Sequence, residues 1–292
     1  MNYYLAATAL RAFSATGPTK ALYRWLGNRK THRKLSEERA GWVLDQLSKA
    51  PTADPARFLE LGTGWMHAYS LYPAVLHDAE ICCFDVWDNR SFGAFHNALP
   101  QVRAGLERMD LTAEHRAAAL RRLDEAEKAT SFADAYRPLK LTYAIDNQGR
   151  LPWPDAHFDV IYSVDVLEHV SAAAFDSACA DWFRVTRPGG RLVAQVGLDD
   201  HLAHYDPSRS KKHYLRHSDA MFRHWLENDV QYVNRLPASR IMASLENAGF
   251  RILEAERIRL DGPKPPVHPD YAGQSEDDIM TWRLNLVTER PD

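Results

Sequence analysis

The chain has 292 residues, 45% of them hydrophobic and 26% charged, which is enough apolar material to bury a sizeable core in one large or two small domains. Its 36 basic and 39 acidic side chains leave a formal charge of −3, so no global field favours nucleic acid. No apolar run approaches the roughly twenty residues that cross a bilayer, no signal-peptide pattern opens the chain, and three cysteines cannot build a disulfide framework. A soluble cytoplasmic protein is expected.

In chain order, residues 1–50 read as a helical extension or lid. Gly17-Pro18 interrupts it, and Ser36 is placed to cap a helix whose Ala40, Val43, Leu44 and Leu47 share one face. Between them runs Arg29-Lys30-Thr31-His32-Arg33-Lys34, read as a solvated helix end. Residues 51–292 read as the main domain. Arg57–Leu61 is a short apolar strand, Gly62-Thr63-Gly64 a tight turn, and Glu80–Val86 a second strand. From about residue 90 to 137 the sequence is charged and alanine-rich at helical spacing. Thr112 can cap a helix with Ala119, Leu120, Leu123 and Ala126, so this is an inserted helical element. Phe158–Val164 returns to strand, and Ser171 opens a helix with Phe175, Cys179, Trp182 and Phe183 on one face. Arg187-Pro188-Gly189-Gly190 turns the chain into a strand at Arg191–Gly197. Ser239 caps a further helix closed by Gly249, followed by strands at Phe250–Ile258 and Arg283–Thr288. This alternation predicts an α/β fold: a doubly wound, mostly parallel sheet with helices on both faces.

Three spaced signals carry chemistry. Glycines in Glu60-Leu61-Gly62-Thr63-Gly64 let a backbone approach a ligand at the carboxyl edge of such a sheet. Asp85 ends the second strand, where a carboxylate can accept ribose hydroxyls. The third signal is Leu151-Pro152-Trp153-Pro154-Asp155 leading into Phe158–Val164, then Leu167-Glu168-His169-Val170 and Arg187–Gly190. A third glycine, needed for the dinucleotide fingerprint, would fall at His67.

In this combination the chain resembles the class I S-adenosylmethionine-dependent methyltransferases over about Arg57–Gly197. The resemblance implies a seven-stranded, Rossmann-like fold with added helices and S-adenosyl-L-methionine as cofactor. It implies that Glu60, Gly62, Thr63 and Gly64 line the amino-acid and ribose part and that Asp85 holds the ribose hydroxyls. Val86 or Trp87 would lie on adenine, Asp146 and Asn147 near its amino group, and Ser163 towards the methionine side. Where the family has a further small residue, this chain has Trp65-Met66.

The acceptor is expected to meet the loop after strand five, with Asp199, Asp200, His201, His204, Tyr205 and Asp206. His201 or His204 could act as base, since imidazole titrates near neutrality. The same residues could ligate a metal, or form a plain polar loop, and no metal is expected. Tyr205, Tyr232, Asn234 and Arg235 are the expected acceptor contacts. Glu168 and His169 read as helix-start and pocket residues. The expected activity is methyl transfer to a small molecule, without nucleic acid or stable membrane insertion, and with homodimerisation open. A cofactor-binding regulatory protein or, less favoured, a nicotinamide-dependent oxidoreductase are the alternatives.

Overall fold

The computed structural model describes residues 1–28 and 34–292. All of the basic stretch except Lys34 therefore lies outside the described residues. The chain divides into two compact units: one takes Met1–Leu26, Asp165–Ala180 and Ala194–Val287, the other Gly27–Val164, Asp181–Val193 and Thr288–Asp292. The seven strands follow the order β3-β2-β1-β4-β5-β7-β6.

The unit built around Gly27–Val164 opens with α3 (Glu37–Lys49), where Ser36 accepts from the Arg39 N–H as its spacing predicts. Then come β1 (Ala56–Leu61), β2 (Ala79–Asp85), β3 (Leu141–Ile145) and β4 (Phe158–Val164). β1 pairs in parallel with β2 and with β4, and β2 in parallel with β3. Every residue of β4 is buried, as in a central strand covered on both faces. Between β2 and β3 stand α5 (Phe92–Arg108), α6 (Ala113–Glu127) and α7 (Phe132–Leu139), over the stretch read as an inserted helical element. Thr112 caps α6, and Ala119, Leu123 and Ala126 are fully buried. The strand at 141–145 has no counterpart in the sequence reading.

The base of β4 is tied by Asp159, which accepts from the Ala53 and Arg57 N–H groups (2.7 and 2.8 Å) and from the Arg187 guanidinium. Such charge-assisted bonds to a buried carboxylate hold the start of the strand.

The other unit contains α1 (Tyr3–Ser14), whose Tyr3, Ala6, Ala7 and Leu10 enter a cluster with Leu202, Tyr214, Leu215, Phe222, Leu226, Tyr271 and Ile279. The helical zone is interrupted at Gly17-Pro18, which opens α2 (Gly17–Asn28) after α1, and a proline in the first turn leaves no required donor unmade. α10 (Ala238–Asn247) takes Pro237 at its N-cap; Ser239 lies inside the helix, its hydroxyl donating to Asp278 at 2.6 Å. Gly249 ends that helix with a φ of 111°, as the C′ position favours.

The sheet is mixed rather than uniformly parallel. Along β5 (Thr186–Gly197) and β7 (Thr281–Glu289), Gly189 donates to the Arg290 carbonyl, Arg290 to Gly190, and Leu198 to Trp282, an antiparallel register. Leu260 donating to Met280 shows the same sense beside β6 (Arg251–Arg259). β7 returns between β5 and β6, so it must run against both. β5 also begins earlier than expected: Arg187–Gly190 belongs to the strand, with Gly189 at positive φ. A Cβ on Gly190 would meet the Arg187 and Asp159 carbonyl oxygens at 2.8 and 2.9 Å.

Candidate active site

After β1 the chain turns through Gly62 and Gly64, both in the left-handed region at φ of 71° and 65°. That conformation suits glycine and forbids most side chains. Gly62 N–H donates to the Phe84 carbonyl at 2.8 Å, which sets the turn beside the end of β2. Gly64 N–H then donates to Asp85 Oδ2 at 2.9 Å, and Tyr143 O–H donates to the same oxygen at 2.7 Å. Oδ1 accepts no bond among the described residues. The carboxylate is thus held from two sides with one oxygen left over, and an ideal Cβ at Gly64 would meet nothing within 4 Å. Burial pushes the Asp85 carboxyl up to about 6, against the Tyr143 and Gly64 bonds that favour the charged form.

Val86 and Trp87 follow at 36% and 43% exposure, large apolar surfaces at the strand tip. Asp146 donates its N–H to the Asp85 carbonyl at 3.3 Å, so the turn after β3 lies alongside. The Asp146 side chain accepts from the Gln148 N–H, closing its own turn, while Asn147 is exposed. The structure therefore brings together Gly62, Gly64, Asp85, Val86, Trp87 and Asp146.

Two expected cofactor residues point elsewhere. Glu60 is buried behind the turn and accepts from Ser70. Burial pushes its carboxyl up to about 8, with the Ser70 bond opposing and the Asp85 charge adding, so it is protonated at neutral pH. Ser163 is fully buried with its hydroxyl towards the Leu61 carbonyl at 3.5 Å. His67, where a dinucleotide fingerprint would carry glycine, is also buried, its Nε2 2.6 Å from the Tyr136 hydroxyl. It packs among Phe95, Phe132, Tyr136 and Tyr143, so the helical insertion fills space beside the turn. Tyr143 was not legible in advance because the strand that carries it was not.

In the unit that follows β5, His201–Tyr205 forms a short 3₁₀ turn, with Asp200 capping it through the Leu202 N–H. His204 Nε2 lies 2.6 Å from Asp199 Oδ2. That bond raises the imidazole above its ordinary value against the effect of burial. For Asp199 burial acts upward, but the bond and the nearby imidazoles prevail and hold it low. Asp200 accepts from Tyr3 O–H at 2.8 Å. Burial moves His201 the other way, down to about 4, so it is neutral at pH 7.

Lys212 is 1% exposed, and burial pushes its ammonium down to about 7 despite Asp199, Asp278 and Asp200. A pocket in this unit is walled by Asp199, Asp200, His201, Tyr214, Phe222 and Gln231, among others. The remaining expected contacts are largely engaged. Arg235 donates to Tyr271 and Asp219 and lies over the Phe222 ring; Tyr205 O–H meets Gln231. Asn234 donates its amide to the Leu167 and Val170 carbonyls, and the Tyr232 carbonyl faces His169.

A glycine turn and an anchored acid at adjacent parallel strand tips lie at the carboxyl edge where open α/β sheets bind their ligands. Residues 91–194 match the family model described as a methyltransferase domain. That match covers 104 of the chain's 292 residues and shows a methyltransferase-like segment, which implies S-adenosyl-L-methionine as cofactor. The matched residues begin after Asp85, so the glycine turn lies outside them. No curated protein matches the chain.

Among solved structures, the chain is similar to geranyl diphosphate C-methyltransferase from Streptomyces coelicolor: 11% identity, 87% of this chain, 78% of that one and a TM-score of 0.48. It is similar to the [4+2]-cyclase SpnF at 16% identity, with 87% and 80% covered and a TM-score of 0.48. It is also similar to a Listeria monocytogenes protein assigned as an S-adenosylmethionine-dependent methyltransferase, at 17% identity, 87% and 100% covered, TM-score 0.47. No described helix is long and apolar enough to cross a membrane.

Proposed function

We propose that the enzyme methylates a hydroxyl or amine of a small-molecule acceptor, with His204 as the base. The observation that carries this reading is the hydrogen bond between Asp199 and His204. A carboxylate accepts, so in the neutral ring Nε2 carries the proton and Nδ1 the lone pair; Nδ1 has no bond among the described residues. His204 is more than half exposed, which leaves that nitrogen accessible to a ligand.

S-adenosylmethionine supplies a methyl group already activated by positive sulfur, so the protein's work is placement and proton removal. The residues present fit that cofactor: Asp85 keeps Oδ1 unbonded among the described residues for ribose hydroxyls, the Gly62–Gly64 backbone allows close approach, and Val86 and Trp87 offer apolar surface for adenine. His204 would take the proton of a hydroxyl or amine acceptor, and Asp199 would stabilise the imidazolium that results. The net charge of −3 gives no global field for nucleic acid and supports a small molecule.

The test is incubation of purified enzyme and isotopically labelled cofactor with cell extract, followed by mass spectrometry. A labelled small molecule made by the native chain and lost in His204→Gln, with calorimetric cofactor binding unchanged, supports the reading. Equal labelling by the variant refutes the base, and labelling only of RNA or protein refutes the acceptor class.

A further inference from the structure

Close to His204, but separate from the Asp199 bond, three side chains have no place in the reading above. The potential ligand atoms of Glu168, His169 and His201 lie within 4.8 Å of one another. Glu168 is 1% exposed; its Oε1 accepts the Gly197 N–H at 3.1 Å, and its Oε2 is buried with no hydrogen-bond partner. An unpartnered carboxylate oxygen in the interior is costly unless a cation or proton meets it.

The charges around it are unequal. An ideal Cβ at Gly197 would lie 2.8 Å from a Glu168 oxygen, 3.2 Å from one of Asp199 and 3.6 Å from one of Asp165, so three carboxylates converge. Asp165 faces Arg283 at 3.3 Å and Asp199 faces His204 at 2.6 Å. No cationic side chain is paired with Glu168 among the described residues.

The histidines are set to complete this deficit. His169 Nδ1 lies 2.5 Å from the Tyr232 carbonyl, which can only accept, so Nδ1 carries the proton and Nε2 keeps its lone pair. Metal-ligating histidines are oriented in this way by a carbonyl behind the ring. The His201 ring stands 5.1 Å from that of His169, centre to centre, at 62°. Asn234 fastens the segment from behind: its N–H donates to the Glu168 carbonyl at 2.7 Å and its amide to Leu167 and Val170 at 2.9 Å each. Asn234 and the Tyr232 carbonyl thus hold the segment that carries the cluster.

We propose that Glu168, His169 and His201 bind one divalent transition-metal ion. Two imidazoles and one carboxylate suit zinc, cobalt or manganese rather than magnesium or calcium, which take oxygen. Three protein ligands leave at least one coordination position for water or another ligand, as in reactive rather than structural sites. This inference goes beyond the methyl-transfer reading and stands whether or not an acceptor is found.

The experiment is a titration of the full chain, stripped with chelator, with Co²⁺, read by visible d–d absorption and calorimetry. One saturable equivalent is expected. Glu168→Gln and His201→Gln each should weaken it by about 100-fold or more, and Asn234→Ala by about 10- to 100-fold as a positioning residue. His224→Ala, an exposed histidine elsewhere, should leave it unchanged. Circular dichroism establishes folding, and the half-exposed His201 gives a variant that keeps the buried carboxylate in place. Absence of a saturable band overturns the site, as does a band retained in Glu168→Gln and His201→Gln. Calorimetry with S-adenosylmethionine on the same stripped protein tests the other reading separately.

Discussion

Replacing Asp85 with Asn keeps the shape of the side chain and removes its charge. Both protein bonds to Asp85 fall on Oδ2, so in the proposed reading the ribose hydroxyls would meet Oδ1. Bonds from neutral donors to a charged acceptor contribute about 1.5–3 kcal/mol each, and some of that survives with the amide oxygen as acceptor. The net loss should be about 2–4 kcal/mol, or roughly 30- to 1,000-fold in Kd. The native protein also offers a signature that bulk disruption would not imitate. With the carboxyl near 6, its charged fraction rises from about one tenth at pH 5 to about nine tenths at pH 7. Cofactor affinity should therefore rise about tenfold over that interval. Asp85→Asn should be flat across it. Calorimetry at pH 5, 6 and 7 reads both effects. Native affinity that is level with pH, or a variant that binds as tightly as the parent at pH 7, would refute the role of Asp85.

Three further changes test other contacts. The folded pKa of Glu60 is raised, so its contribution to stability is complete below pH 4.5 and is lost as pH climbs through about 8. Glu60→Gln should remove that loss, leaving the variant more stable at pH 8 relative to the parent, on the order of a few kcal/mol by calorimetric melting. Gly190→Ala places a methyl against two backbone oxygens that cannot rotate away, and should cost about 1–3 kcal/mol in denaturant titration. Tyr3→Phe deletes the hydroxyl that donates to Asp200 and should cost about 1–3 kcal/mol, read as a lower melting temperature.

The features legible in sequence were those fixed by local chemistry. Thr112 and Ser36 announce their helices because a hydroxyl can satisfy an orphan N–H only at that position. Gly62 and Gly64 are marked by the left-handed turn they allow, and Asp85 by its place at a strand end. What escaped depended on distant partners. Ser239 has the chemistry of a cap, but Asp278 takes its hydroxyl and Pro237 holds the cap position. Arg187–Gly190 reads as a turn because prolines and glycines punctuate chains, yet Arg290 supplies the bonds that make it strand. Leu141–Ile145 is too short to declare its period. Glu60 reads as a ligand from its place beside the glycine turn, while Ser70, ten residues on, takes its carboxyl. Glu168 and His169 read as the start of a helix, and only His201 and Gly197, brought in by folding, reveal the convergence.

Helix α1 illustrates how poorly nearness along a chain measures membership of a core. Its Tyr3, Ala6, Ala7 and Leu10 are walled by residues some two hundred positions downstream. A version of the chain lacking only helix α1 would strip these side chains from Leu202, Tyr214 and Phe222. The uncovered patch would then favour self-association over solubility. For expression and crystallisation, the first dozen residues belong with the catalytic body rather than with the dispensable ends.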